Sequence, residues 1–139
     1  MSKKSKKNKK KLKKLDTNLN VKYSDLIREI DSMQKYLNKV DKKAKKKAKK
    51  KAGGDYNLYK SLYKNDVSRA KARRKVMEDE SFFDSLETTV KQIEPAAKII
   101  SRIIAGLIVT ILSINFVQLN ISPEQLNALD KIYTISMKV

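Results

Sequence analysis

Sixteen of the eighteen net positive charges carried by these 139 residues lie in the first 52. Residues 1–52 hold 21 Lys and Arg against five Asp and Glu, whereas residues 53–139 hold 12 against 10. A chain divided in this way must build its core from the near-neutral back half and from whatever apolar stripe the front half can offer. The stretch MSKKSKKNKKKLKK at residues 1–14 offers almost none, with nine lysines and no acid. It cannot bury enough apolar surface to offset its ordering entropy, so residues 1–18 are expected to form a disordered basic tail. The stretch also lacks the apolar run of a signal peptide, and export is not expected.

The residues that are missing narrow the chemistry. Histidine, cysteine and tryptophan are absent, which removes disulfides, thiolate and imidazole metal sites and histidine acid–base catalysis. Three glycines are too few for a phosphate-cradling or dinucleotide loop. No enzymatic activity, cofactor or metal is expected.

Residues 19–52 read as an amphipathic and then lysine-rich helix. Apolar residues fall at Leu19, Tyr23, Leu26, Ile30, Met33, Leu37 and Val40, at intervals of 4, 3, 4, 3, 4 and 3. That is the seam of a coiled coil between copies or of a helix packed on its own chain. The same phase continues through KKAKKKAKKKA, residues 42–52, where Ala44, Ala48 and Ala52 recur every fourth position. Lysine and alanine both favour helix, but lysines four apart repel, so a frayed helix firmed by an anion is expected here. In composition this stretch of about a dozen residues resembles the lysine/alanine tails of linker histones, a likeness of low complexity only.

Gly53-Gly54 marks a hinge. Beyond it residues 55–94 read as a helical segment, opened by Asp55 as a cap and restarted at Phe82 by the capping pattern Ser81-Phe-Phe-Asp84. An apolar helix follows over 95–118, and Ser122-Pro123-Glu124-Gln125 announces a C-terminal amphipathic helix over 122–139. No strand pattern competes, and the fold class is all-α.

Four features bear on function. The lysine blocks come first: Lys3, Lys4, Lys6, Lys7, Lys9, Lys10, Lys11, Lys13 and Lys14, then Lys42, Lys43, Lys45, Lys46, Lys47, Lys49, Lys50 and Lys51. With Arg69, Arg73 and Arg74 they form a candidate surface for nucleic acid or another polyanion. Lysine is a flexible point charge rather than the planar fork that reads guanine, so contact to phosphates without sequence preference is expected. The tyrosine ladder Tyr56, Tyr59 and Tyr63 has the spacing of a core face, with base stacking or a membrane interface as the alternatives. The acidic group Glu78, Asp79, Glu80, Asp84 and Glu87 flanks a helix start and reads as structural.

The fourth feature is the apolar helix. From Ile103 to Pro123 there are 21 uncharged residues, and a helix from Pro95 to Val117 would measure about 34 Å against about 30 Å of bilayer hydrocarbon. Ala97, Ser101 and Ala105 form a small-residue row, with Ser101, Ile104, Ala105, Leu107, Ile108, Ile111 and Leu112 as the packing positions. The leading expectation is a single membrane span over 97–117 with the basic half cytoplasmic, tethering a polyanion-binding protein. The alternative is a structural component of a nucleoprotein or virion assembly whose apolar helix is buried in a bundle. Association between copies through 19–40 and 97–117 is compatible with either.

Overall fold

The structure, a computed structural model, describes residues 17–138, leaving aside the side chains of residues 17–22, 96, 116 and 117. Every regular element among the described residues is helical, as the periodicities predict. Helix α1 runs Thr17–Ala52, α2 Tyr56–Lys64, α3 Val67–Glu78 and α4 Glu80–Lys91. A 3-10 turn at Pro95–Ala97 leads into α5, Lys98–Ile111, and the short α6, Phe116–Leu119, precedes α7, Pro123–Lys138. The expected lysine tail at residues 3–14 lies outside the described residues.

The joints follow from local chemistry. Gly53 and Gly54 sit at φ 55° and 100°, a left-handed reversal that ends α1 at the expected place. Asp55 accepts a hydrogen bond from the Leu58 amide and caps α2, and Ser122 Oγ accepts from the Gln125 amide ahead of Pro123, as the sequence indicates. Two joints differ. The segment 55–94 breaks at Asn65-Asp66, where Asp66 caps α3 through the Arg69 amide. Helix α4 begins at Glu80 rather than Phe82, because Asp79, not Ser81, accepts from the Phe82 amide. A carboxylate two residues upstream outcompetes the serine hydroxyl, since it adds charge against the helix dipole to the same capping geometry.

The seam of α1 is used within the chain. Tyr23, Leu26, Ile30 and Leu37 are buried, and Met33 and Val40 pack at their margin. Helices α3, α4 and α5 lie against that seam. Residues 23–40 therefore do not present the free apolar stripe that a coil between copies requires. The same core takes Val76 and Met77 from α3, Phe82, Leu86 and Val90 from α4, and Leu129 and Ile132 from α7.

Helix α5 is the centre of this core, which corrects the expected span. Its buried residues are Ile100, Ser101, Ile104, Ala105, Leu107, Ile108 and Ile111, with Leu112 packed at the edge. Among the described residues no helix is long and apolar enough to cross a membrane. The continuous helix expected over 95–118 is instead 14 residues long. Three local causes shorten it. Pro95 opens a 3-10 turn rather than the α-helix. Within α5, Thr110 Oγ1 bonds back to the Gly106 carbonyl, a side-chain competitor with the helix ladder. At the far end, the Thr110 carbonyl accepts from both Ser113 Oγ and Arg73 Nε. The small-residue row serves α7: Ala97, Ser101 and Ala105 are buried, and Ser101 Oγ donates to the Ser136 carbonyl. Gly106, next to Ala105 in α5, faces open space.

A buried ion cluster ties these helices together. Arg73 is fully buried and makes a two-pronged contact with Asp41, Nη1 to Oδ1 at 2.9 Å and Nη2 to Oδ2 at 2.8 Å. Its Nε donates to the Thr110 carbonyl at 2.8 Å, and its remaining donors reach the Arg69 carbonyl and Ser113 Oγ, both at 3.3 Å. All five guanidinium N–H groups are thus matched. Arg69, also buried, donates from Nε to Asp41 Oδ1 at 2.9 Å, from Nη1 to the Tyr63 carbonyl at 2.8 Å and from Nη2 to Ser113 Oγ at 3.3 Å. Burial acts to raise the Asp41 carboxyl, but the hydrogen bonds and charges of Arg73 and then Arg69 prevail and hold it below its ordinary 3.8.

Removing Asp41 strands two buried cations, so Asp41→Asn is expected to cost about 3–5 kcal/mol in urea unfolding. Asp25→Asn, which removes an exposed partner of Arg28, should leave the midpoint unchanged. Because the folded carboxyl is depressed, its contribution is complete above pH 3.8 and is lost as pH falls through the lower folded value. Melting temperatures of the wild type should therefore drop in that acid window, and those of Asp41→Asn should drop less.

Candidate polyanion-binding surface

The second half of α1 divides its circumference between two residue types. Ala44, Ala48 and Ala52 are 4, 4 and 9 % exposed, while all eight lysines from Lys42 to Lys51 are exposed. The chain reverses at Gly53-Gly54, and α2 returns along α1 with α3 beside it. Methyl groups spaced every fourth residue let the returning backbone approach closely. The lysines occupy roughly the remaining two-thirds of the circumference.

This packing gives the expected helix a support that the sequence alone does not show. The repulsion between lysines four apart is a few tenths of a kcal/mol per pair. Burial of the alanine row against a helix covalently held next to it opposes that repulsion without any bound anion. The segment is helical through Ala52.

Among the described residues none of the eight lysines pairs with a carboxylate. Asp41, at the head of the block, is committed to Arg73 and Arg69, and Asp55 and Asp66 are committed to helix caps. Ten residues of helix are about 15 Å long, so the surface carries one lysine per roughly 2 Å. Duplex nucleic acid presents one phosphate per about 1.7 Å of axis. The two charge densities are closely matched.

The three arginines grouped with the lysines have other occupations. Arg69 and Arg73 are 3 and 0 % exposed and belong to the internal cluster. Arg74, half-buried, donates to the Gln118 carbonyl at 2.6 Å and anchors α6 on α3. A signal for this lies in the sequence. Lysine outnumbers arginine 28 to 5, yet three of the five arginines stand within α3. Where a chain rich in lysine uses arginine, the planar five-donor fork is what the position requires.

The tyrosines also depart from expectation. Helix α2 contributes no buried residue; Tyr56 is exposed, and Tyr59 and Tyr63 are half-buried. The rings form a stack along the helix, with centroids 6.3 Å apart for Tyr56–Tyr59 and 6.2 Å for Tyr59–Tyr63. Lys60 Nζ lies 4.8 Å from the Tyr56 ring and Lys45 Nζ 5.6 Å from that of Tyr63, whose ring also carries the Arg69 guanidinium at 3.9 Å. Burial and then the Asp41 charge push the Tyr63 hydroxyl up from its ordinary 10. In the acidic group, Asp79 is a cap and Glu87 pairs with Lys91. No set of carboxylates among the described residues is arranged to hold a metal ion.

If the alanine row is what admits α2, Ala48→Leu should overfill the contact and cost about 1–3 kcal/mol in thermal unfolding. Lys46→Ala should leave the midpoint unchanged or slightly higher, because it removes repulsion with Lys42 and Lys50.

Compared with protein-family models, with curated proteins and with solved structures, the chain matches none, so a functional reading rests on this surface itself.

Proposed function

We propose that this protein is a non-enzymatic binder of nucleic acid or another polyanion, engaging phosphates through the lysine surface of α1 without reading sequence. One observation carries the reading: eight lysines stand exposed, with no carboxylate partner among the described residues, on a helix whose alanine face is fixed against its own chain. Such a surface presents its charges already assembled. Each phosphate it neutralises releases condensed counterions, and lysine ammoniums impose no base-edge geometry. The nine lysines of residues 3–14 would extend the same contact along the polyanion.

The reading favours a component of a nucleoprotein or virion assembly over a single-pass membrane tether. Support comes from α5, whose apolar residues are drawn into contact with α1 and α7.

Affinity for two unrelated duplexes, measured from about 50 to about 300 mM salt, tests the proposal. With about eight phosphates neutralised, the log–log slope should be near −7 and similar for both duplexes. Replacing Lys43, Lys47 and Lys51 with glutamine should reduce the slope by about 3 without altering the melt. A flat salt response, or a strong preference for one sequence, would overturn the reading.

A further inference from the structure

Aromatic rings that a helix leaves uncovered are unusual at this spacing, and here they adjoin the densest charge on the molecule. Tyr56 is 64 % exposed on the flank of α2. Tyr59 stacks next to it and stays half-buried. Tyr63 differs from both, because the Arg69 guanidinium occupies a face of its ring and ties it to the internal cluster. The ladder therefore has a structural end at Tyr63 and an open end at Tyr56.

The open end is edged with lysine. Lys60, itself exposed, lies over the Tyr56 ring and has to swing aside toward a phosphate for a base to stack there, while Lys45 reaches the ladder from α1 at its Tyr63 end, so the rings and the lysine surface adjoin along one patch. A duplex cannot use the aromatic part of such a patch, because its bases are stacked on one another inside the helix. A single strand can, because its bases present free π-faces while its phosphates follow the adjoining lysine surface. The geometry points to single-stranded nucleic acid as the ligand of this patch, with an unpaired base stacked on Tyr56, a second contact at Tyr59, and the backbone held by Lys45 and Lys60. This rests on the polyanion reading above and narrows it to a ligand class. Every base has a π-face, so stacking of this kind also tolerates any sequence, in keeping with phosphate contacts that read none.

The test uses the full chain and two probes of equal length, a mixed-sequence single strand of roughly 16 nucleotides and the corresponding duplex. The single strand should bind more tightly and quench tyrosine fluorescence. Tyr56→Ala should weaken single-strand binding at least about fivefold while leaving duplex binding and the salt slope unchanged. Tyr56→Phe should retain the wild-type affinity, since stacking needs the ring and not the hydroxyl. Thermal melts establish that the exposed substitutions leave the fold intact, and Tyr59→Ala supplies a second, weaker loss. If both probes bind with a steep salt slope and neither tyrosine variant distinguishes them, the stacking inference falls while polyanion binding stands. If neither probe binds, the polyanion reading falls with it. Vesicles rich in anionic phospholipid complete the comparison. Tyr56-dependent binding to vesicles without Tyr56-dependent binding to the single strand would make the patch a membrane-interface contact and overturn the proposal.

Discussion

A single carboxylate holds the two halves of this chain together. Asp41 is the last acid before a block of eight lysines, and both its oxygens are engaged by guanidiniums from α3. Through those two arginines the contact extends to the Tyr63 carbonyl at the end of α2 and to Thr110 and Ser113 at the end of α5. Burying this much charge carries a heavy desolvation cost, and the cluster is tolerable only because every guanidinium donor on Arg73 has an acceptor. Apolar packing brings α1, α3 and α5 together, but packing is non-directional. The planar fork of Arg73 gives the meeting point a defined geometry. The lysine surface begins one residue later and inherits its orientation from that point.

Local signals in the sequence carried much of the fold. The 4-3 spacing of α1, the paired glycines, Asp55 and the Ser-Pro start of α7 each act through chemistry confined to a few neighbouring residues, and each is legible without a structure. The surface lysines were legible for the same reason, since clustered charge with no acid to pair with has few places to go. What escaped depended on partners distant in the chain. Arg69 and Arg73 read as surface cations until Asp41, some 30 positions earlier, is placed beside them. The tyrosine spacing matches a core face, yet the alanine row of α1 gives α2 a shallow seat that covers only part of two rings.

The apolar helix shows the limit of hydropathy alone. Its composition suits hydrocarbon lipid and a protein interior equally well, and length was the discriminating quantity. Length, however, was set by local chemistry at the two ends of the helix. Pro95 delays the start, while Thr110 and Ser113 offer side-chain bonds that compete with the ladder. Arg73 then takes the carbonyl at the last turn. The helix of 14 residues that results takes in only the first nine positions of the 21-residue uncharged run. Once shortened, it packs against the seam of α1 and the inner face of α7 in one shared core.

The alternation of alanine and lysine along α1 makes chain length a matter of rotation. Each residue added to or removed from the segment between Asp41 and Gly53 turns everything beyond it by about 100°. A single insertion there would swing lysines into the seat of α2 and bring alanines out to solvent. Substitution among the lysines, by contrast, touches nothing inside. The segment is therefore free to change its charge and not its count. Variation in the strength of this surface can arise residue by residue, whereas variation in its extent must come in helical repeats, three or four residues at a time.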